Sequence, residues 1–199
     1  MQDGDTVRIG IVGLGGIARL HADQLSALEA DGVPVTLVGG MDIASDARDA
    51  FADEYDVPTF ADEDALYDRA DAVVVTTPNC VHEEYAVSAL DAGLDVLVEK
   101  PLAHTVESAE RIAAAASDAD GFCMVGFHNR FSPAVRALKA RVDDGHFGEV
   151  YHVEANYVRR RGVPGRGSWF TDESAAGGGA LIDIGAHAID LALHVMDFP

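Results

Sequence analysis

Short valine-rich runs alternate with amphipathic segments through the first two thirds of the chain, and no other feature restricts the fold as much. The runs are 7–12 (VRIGIV), 35–38, 72–76 (AVVVT), 95–98 and 122–125. They are nearly continuous in apolar residues, the pattern of strands covered on both faces. Helical patterns fill the gaps at 17–30, 44–55, 62–69, 82–92 and 105–117. Gly93 stands where a helix C-cap glycine belongs. Thr105 stands at an N-cap, although Ser108 occupies the position where a capping box wants Glu or Gln. Strand–helix alternation of this kind predicts an α/β fold with a doubly wound parallel sheet.

The pattern changes near Gly126. Residues 132–143 read as one more helix, with Pro133 at its first position. Residues 150–158 alternate as a half-exposed strand would, with Tyr151, Val153, Ala155 and Tyr157 set against His152, Glu154 and Asn156. A loop rich in Gly and Arg follows, and then an apolar helix over 181–194. The expected division is therefore 1–122 and 123–199. One strand is not a sheet, so the second region reads as a domain begun and cut off at Pro199.

Charge removes several classes of function. The chain of 199 residues carries 34 acidic against 14 basic residues, a formal net charge of −20. Nucleic acid phosphates would be repelled. No apolar run approaches the roughly 18 residues of a membrane span. Cys80 and Cys123 offer neither a disulfide framework nor a zinc pattern, which points to a reducing cytoplasm. The acids are spread along the chain and lysine is confined to Lys100 and Lys139, the composition expected of a salt-loving cytoplasm.

Gly13, Gly15, Gly16, Ile17 and Ala18 belong to a run fitting G-x-G-x-x-A, directly after the first strand and opening a helix. In that context the run predicts a dinucleotide cradle: Gly13 for the turn, Gly15 for close approach to a pyrophosphate, Ala18 for helix–strand packing. Asp42 ends the second strand, where a carboxylate accepts from ribose hydroxyls. With no Arg or Lys before Arg48, it favours NAD over NADP. Thr77, Pro78 and Asn79, with His82 just beyond, follow the next major strand, and Glu99, Lys100 and Pro101 follow the one after. Carboxyl ends of parallel strands are where open α/β sheets bind ligands. A lysine there is suited to stabilise a substrate alkoxide.

Asp183, His187, Asp190 and His194 form a polar stripe at i, i+4, i+7 and i+11 on the otherwise apolar last helix. Such a stripe lines a cleft, and an Asp and a His one turn apart can share proton chemistry. The same four side chains could instead ligate a metal, though no cysteine or H-E-x-x-H companion accompanies them. Asp190 and His194 are read as solvated near the helix end and receive no chemical role. Arg159 to Arg161 and Arg166 would meet an anionic substrate or make surface ion pairs.

Four segments in order resemble the Gfo/Idh/MocA oxidoreductases, the family of glucose–fructose oxidoreductase and the inositol dehydrogenases: Gly13 to Ala18, Glu99-Lys100-Pro101, Val125 to Phe131 (VGFHNRF), and Gly178 to His187 (GGALIDIGAH). The resemblance implies an N-terminal Rossmann domain followed by the start of an α+β domain on an open antiparallel sheet. It implies hydride transfer between NAD, or NADP, and a sugar, cyclitol or related polyol, and a homo-oligomer at full length. By the same resemblance Lys100, Asp183 and His187 are catalytic, and Asn79 and Arg130 lie near the nicotinamide ribose and the substrate. The remaining cofactor contacts fall to Gly13, Gly15, Gly16, Ile17, Ala18, Asp42, Thr77, Pro78, His82, Glu99 and Lys100. A dinucleotide-binding sensor without catalysis, and a metal-dependent hydrolase built on the stripe, are the competing readings.

Overall fold

A computed structural model describes residues 6–158 and 178–198. The chain divides into two compact units, Met1–Val125 and Gly126–Pro199.

In the first unit, β1 (Val7–Val12), β2 (Val35–Met41), β3 (Thr59–Phe60), β4 (Ala72–Val75), β5 (Asp95–Val98) and β6 (Cys123–Val125) form one sheet. The order is β3-β2-β1-β4-β5-β6, and every pairing is parallel. The helices are α1 (Gly16–Ala30), α2 (Ser45–Tyr55), α3 (Asp64–Tyr67), α4 (His82–Asp91) and α5 (Val106–Asp118). Alternate strand residues feed two cores, as the two-residue period of a strand requires. Ile11 and Val74 join Ala18, Ala22 and Leu25 of α1 and Phe51 of α2. Val12, Val73, Val75, Val96 and Val98 join Leu66, Tyr85, Ala89, Leu90 and Ile112. Because both faces are covered, the strands read as apolar runs.

The expected punctuation is in place. Gly93 sits at φ +81° one residue beyond the α4 cap. Thr105 Oγ1 accepts from the Ser108 N–H at 3.1 Å and lies 3.0 Å from its hydroxyl, so Thr105 caps the helix through its own side chain with the serine hydroxyl against it. Residues 123–125 pair with β5, which places the unit boundary after Val125 and not after 122. The two-residue β3 has no periodicity to announce it and was not expected.

In the second unit a 3₁₀ turn (His128–Phe131) leads into α6 (Pro133–Asp143), with Ser132 as N-cap and Pro133 in the first turn. The strand expected at 150–158 is not formed: these residues carry no ladder pairing, and Tyr151 and Val158 are about nine-tenths exposed. A strand exists only by pairing, and no neighbour for it is found among the described residues. The last helix is not uniform. A π-helical turn (Leu181–Gly185) precedes α7 (Ala186–Val195), so the stripe does not lie on one regular helical face.

Candidate dinucleotide cradle and active-site residues

The carboxyl ends of β1, β4 and β5 are neighbours in the sheet, and the chain leaves β1 toward β2 on one side and returns at β4 on the other. This is the topological switch point, where open α/β sheets bind ligands. Gly13 turns there at φ +88°, and a Cβ on it would sit 2.8 Å from the Thr77 backbone nitrogen. Its N–H donates to Met41 O at 2.7 Å. The Thr76 hydroxyl donates to the carbonyls of Gly13 and Val12 and locks the turn from the β4 side.

Beyond the turn the surface opens. Cβ atoms built on Gly15 or Gly16 would meet nothing within 4 Å. Gly15 caps α1 without a side-chain bond, so the first N–H groups of the helix have no side-chain acceptor at its cap. Ile17 is partly exposed and Ala18 is fully buried against the sheet. The Thr77 hydroxyl is buried with no hydrogen-bond partner. An open glycine approach, an uncapped helix start and an orphaned buried hydroxyl fit a dinucleotide.

Asp42 ends β2 as expected, and its carboxylate accepts from Leu14 N and Ala44 N, both at 2.8 Å. It therefore ties the glycine loop to β2. Arg48 folds back from α2 to donate to the Asp42 carbonyl at 2.7 Å. A gap in sequence does not keep a cation away from this end of the cradle, which weakens the preference for NAD drawn from that gap.

Asn79 and His82 are almost wholly buried. The His82 ring places Nε2 2.9 Å from Thr77 O and Nδ1 3.0 Å from Pro101 O. Burial pushes its imidazole below the ordinary histidine range against the pull of those carbonyls. A neutral ring has one N–H and so donates to only one of these carbonyls; His82 sits between the β4 and β5 loops, and its side chain has no exposed surface for the cofactor contact expected of it.

Lys100 follows β5, and the Lys100–Pro101 peptide is cis. Glu99, expected among the cofactor contacts, has both carboxylate oxygens engaged within the chain: Oε1 lies 2.9 Å from His21 Nε2 and Oε2 accepts from Lys100 N at 3.1 Å. Burial alone would raise the Glu99 carboxyl, but the His21 contact and the Lys100 N–H and charge outweigh it and hold the group below the usual carboxylate range.

In the second unit His187 is buried, with the His128 ring edge-on at 4.9 Å and the Phe127 ring at 6.3 Å. Asp183 lies half-buried in the π-helical turn, a distortion common at functional sites. Asp190 is not solvated: it is 5% exposed and accepts from Arg130 Nε at 2.8 Å and from Nη2. The guanidinium also lies 5.5 Å from the Phe127 ring centre and 5.0 Å from that of Phe198. Arg130, expected near the nicotinamide ribose, is committed to this ion pair. His194 is half-buried. Among the described residues no group of three or more His, Cys, Asp or Glu is arranged to hold a metal ion. Arg159 to Arg161 and Arg166 lie outside the described residues.

Three features were missed in the sequence. His128 stood inside a quoted motif without a role. The Arg130–Asp190 pair was signalled by an acid on an apolar helix. His21 was signalled by its place three residues after Ala18, on the inward face of α1.

Comparison with known proteins matches both units. Residues 7–127 match the family model described as "Oxidoreductase family, NAD-binding Rossmann fold", and residues 135–199 match the GFO/IDH/MocA C-terminal domain. D-glucoside 3-dehydrogenase of Escherichia coli (strain K12) is 35% identical over 97% of this chain and 55% of its own length. The crystal structure of an oxidoreductase domain protein from Kribbella flavida superposes with a TM-score of 0.88 at 35% identity, over 98% of this chain and 55% of that one. Levoglucosan dehydrogenase in complex with NADH and levoglucosan gives a TM-score of 0.80 at 26% identity, over 95% of this chain and 53% of that one. The chain spans about half the length of these relatives. With both of its units matched in order, the chain belongs to the Gfo/Idh/MocA oxidoreductase family.

Proposed function

We propose that the protein is an NAD(P)-dependent oxidoreductase that transfers a hydride between nicotinamide and a hydroxyl-bearing carbon of a sugar, cyclitol or related polyol. The observation that carries this reading is the placement of Lys100, one of two lysines in the chain, at the end of β5, separated in the sheet only by β4 from β1 with its glycine cradle. Two of the relatives above are named as dehydrogenases of sugars, which supports the substrate class.

The Gly13–Gly15 turn and the α1 N-terminus bind the pyrophosphate, and the orphaned Thr77 hydroxyl takes a polar group of the cofactor. Bound nicotinamide supplies the hydride acceptor or donor. The Lys100 ammonium holds the substrate oxygen and stabilises its negative charge. His187 accepts the hydroxyl proton as general base. Asp183 orients the substrate.

The test needs no substrate. NADH at about a hundred times its Kd is expected to add about 2.7 kcal/mol of stability, seen as a higher melting temperature. It is also expected to slow acylation of Lys100, followed by mass spectrometry. A melting temperature and a labelling rate both indifferent to millimolar NADH would sink the reading.

The proposal extends to a salt-rich cytoplasm and a homo-oligomer. A net charge of −20 is self-repelling. Raising KCl from about 0.1 M to about 1 M shrinks the Debye length from about 10 Å to about 3 Å. The melting temperature is expected to climb by several degrees over that range. A flat response to KCl argues against the salt-loving habitat.

A further inference from the structure

His21 has no place in the mechanism above, yet it ties α1 to the segment that carries Lys100. Its Nε2 meets Glu99 Oε1 at 2.9 Å, across 78 residues of sequence. The contact is sheltered, with side-chain exposures of 23% for His21 and 12% for Glu99. The other oxygen of the same carboxylate accepts the Lys100 N–H at 3.1 Å. The carboxylate therefore bridges an imidazole on a helix and the main chain of the lysine. On the far side of Lys100, the Pro101 carbonyl meets His82 Nδ1 at 3.0 Å. The segment 99–101 thus has an imidazole beside it at each end.

The two anchors differ in kind. His82 is wholly buried and joins two loops of the same sheet edge. His21 belongs to the helix whose N-terminus forms the phosphate cradle, so its grip fixes the lysine relative to the cradle. A carboxylate carrying two donors is also a stiffer support than one carrying a single donor, because fewer rotamers satisfy both bonds. Without His21, Glu99 keeps only its neighbour's N–H and is free to turn.

We infer that His21 is a positioning residue that, through Glu99, fixes where the Lys100 ammonium stands relative to the dinucleotide cradle. This inference rests on the reading of Lys100 as the charged group of the active site. The effect is geometric: small displacements of a reacting group are costly, and the lysine stem is otherwise long and flexible.

The chain supplies its own reference for the test, because its lysines are Lys100 and Lys139 alone. Lys139 sits in the other unit, bound to Asp143 and Asp197. Tracer acylation of the whole chain, read by mass spectrometry, gives the ratio of labelling at Lys100 to that at Lys139. His21→Gln keeps a side-chain N–H with the reach to meet Glu99, whereas His21→Asn is one methylene too short. Both are polar and comparable for folding, which the melting temperature checks.

The Asn variant is expected to change the labelling ratio by about fivefold, the scale of one lost hydrogen bond, and the Gln variant to restore the parent ratio. Equal ratios in parent, Asn and Gln variants overturn the inference, as does an Asn-like ratio in a folded Gln variant. Protection of Lys100 by NADH in the parent chain is a separate arm. If that protection is absent, the reading of Lys100 falls. If it is present while the ratios stay equal, only the role of His21 falls.

Discussion

Lys100→Met is expected to cut turnover by about a thousandfold, the upper range for losing one charged donor at a developing oxyanion. Met keeps the length and apolar bulk of the stem and removes only the ammonium. The main-chain bonds of the segment do not depend on the side chain: Lys100 N still donates to Glu99, and Pro101 O still meets His82. The cradle at Gly13 to Ala18 is likewise untouched. NADH affinity is therefore expected to stay within about threefold, so that kcat and kcat/KM fall together. Stopped-flow reduction of NAD with a panel of sugars and cyclitols, alongside NADH titration of the same preparations, separates the outcomes. Retained turnover removes Lys100 from the mechanism. Turnover and NADH affinity lost in parallel would make it a cofactor ligand instead. Lys100→Arg is not expected to rescue, because a planar guanidinium has a different shape and hydration from a point ammonium.

The sheet could be read from sequence because each of its strands but one carries a local mark. β1, β2, β4 and β5 are apolar runs whose side chains feed the cores on both faces of the sheet, and that burial is what the composition reports; the edge strand β6 is a shorter apolar run with Met124 exposed. The glycine cradle was readable for a related reason: a turn at φ +88° against the Thr77 backbone admits only glycine, so the constraint is written in residue identity. What escaped was pairing across long distances. His21 and Glu99 are 78 residues apart, and Arg130 and Asp190 are 60 apart. An acid on an apolar helix or a histidine on an inward helix face marks one member of each pair, but nothing local names the partner it will meet. His82 and Glu99 were assigned to the cofactor by the resemblance and by their place at the strand ends. They do lie at the correct edge of the sheet, but their polar atoms are spent holding loops. The strand expected at 150–158 failed for the opposite reason: its alternation is real, but a strand is defined by neighbours that no single segment encodes.

Asp190→Ala is expected to cost the second unit about 3 kcal/mol, the lower range for removing one partner of a buried pair. Asp190 is 4% exposed at its side chain and Arg130 29%, so the guanidinium would be left half in the protein, beside Phe127 and Phe198, with no anion. The pair joins the 3₁₀ turn at 128–131 to α7, and Phe127 and His128 also flank His187. Loss of the pair should therefore loosen the surroundings of His187 as well as lower stability. Amide hydrogen exchange of α7 reports the first and limited proteolysis the second. The exposed pair Arg19–Glu54, 2.8 Å apart at the surface, is the internal comparison, and Glu54→Ala should leave the first unit unchanged within error. The apolar double replacement Arg130→Met with Asp190→Leu decides what the pair is for. If its role is stability alone, well-packed apolar side chains recover the parent to within about 1 kcal/mol, since burying two charges costs nearly what their attraction returns. If its role is to aim His187, the double variant is stable but keeps the fast exchange of α7. An Asp190→Ala variant as stable as the parent, with α7 exchange unchanged, would show that the pair holds nothing.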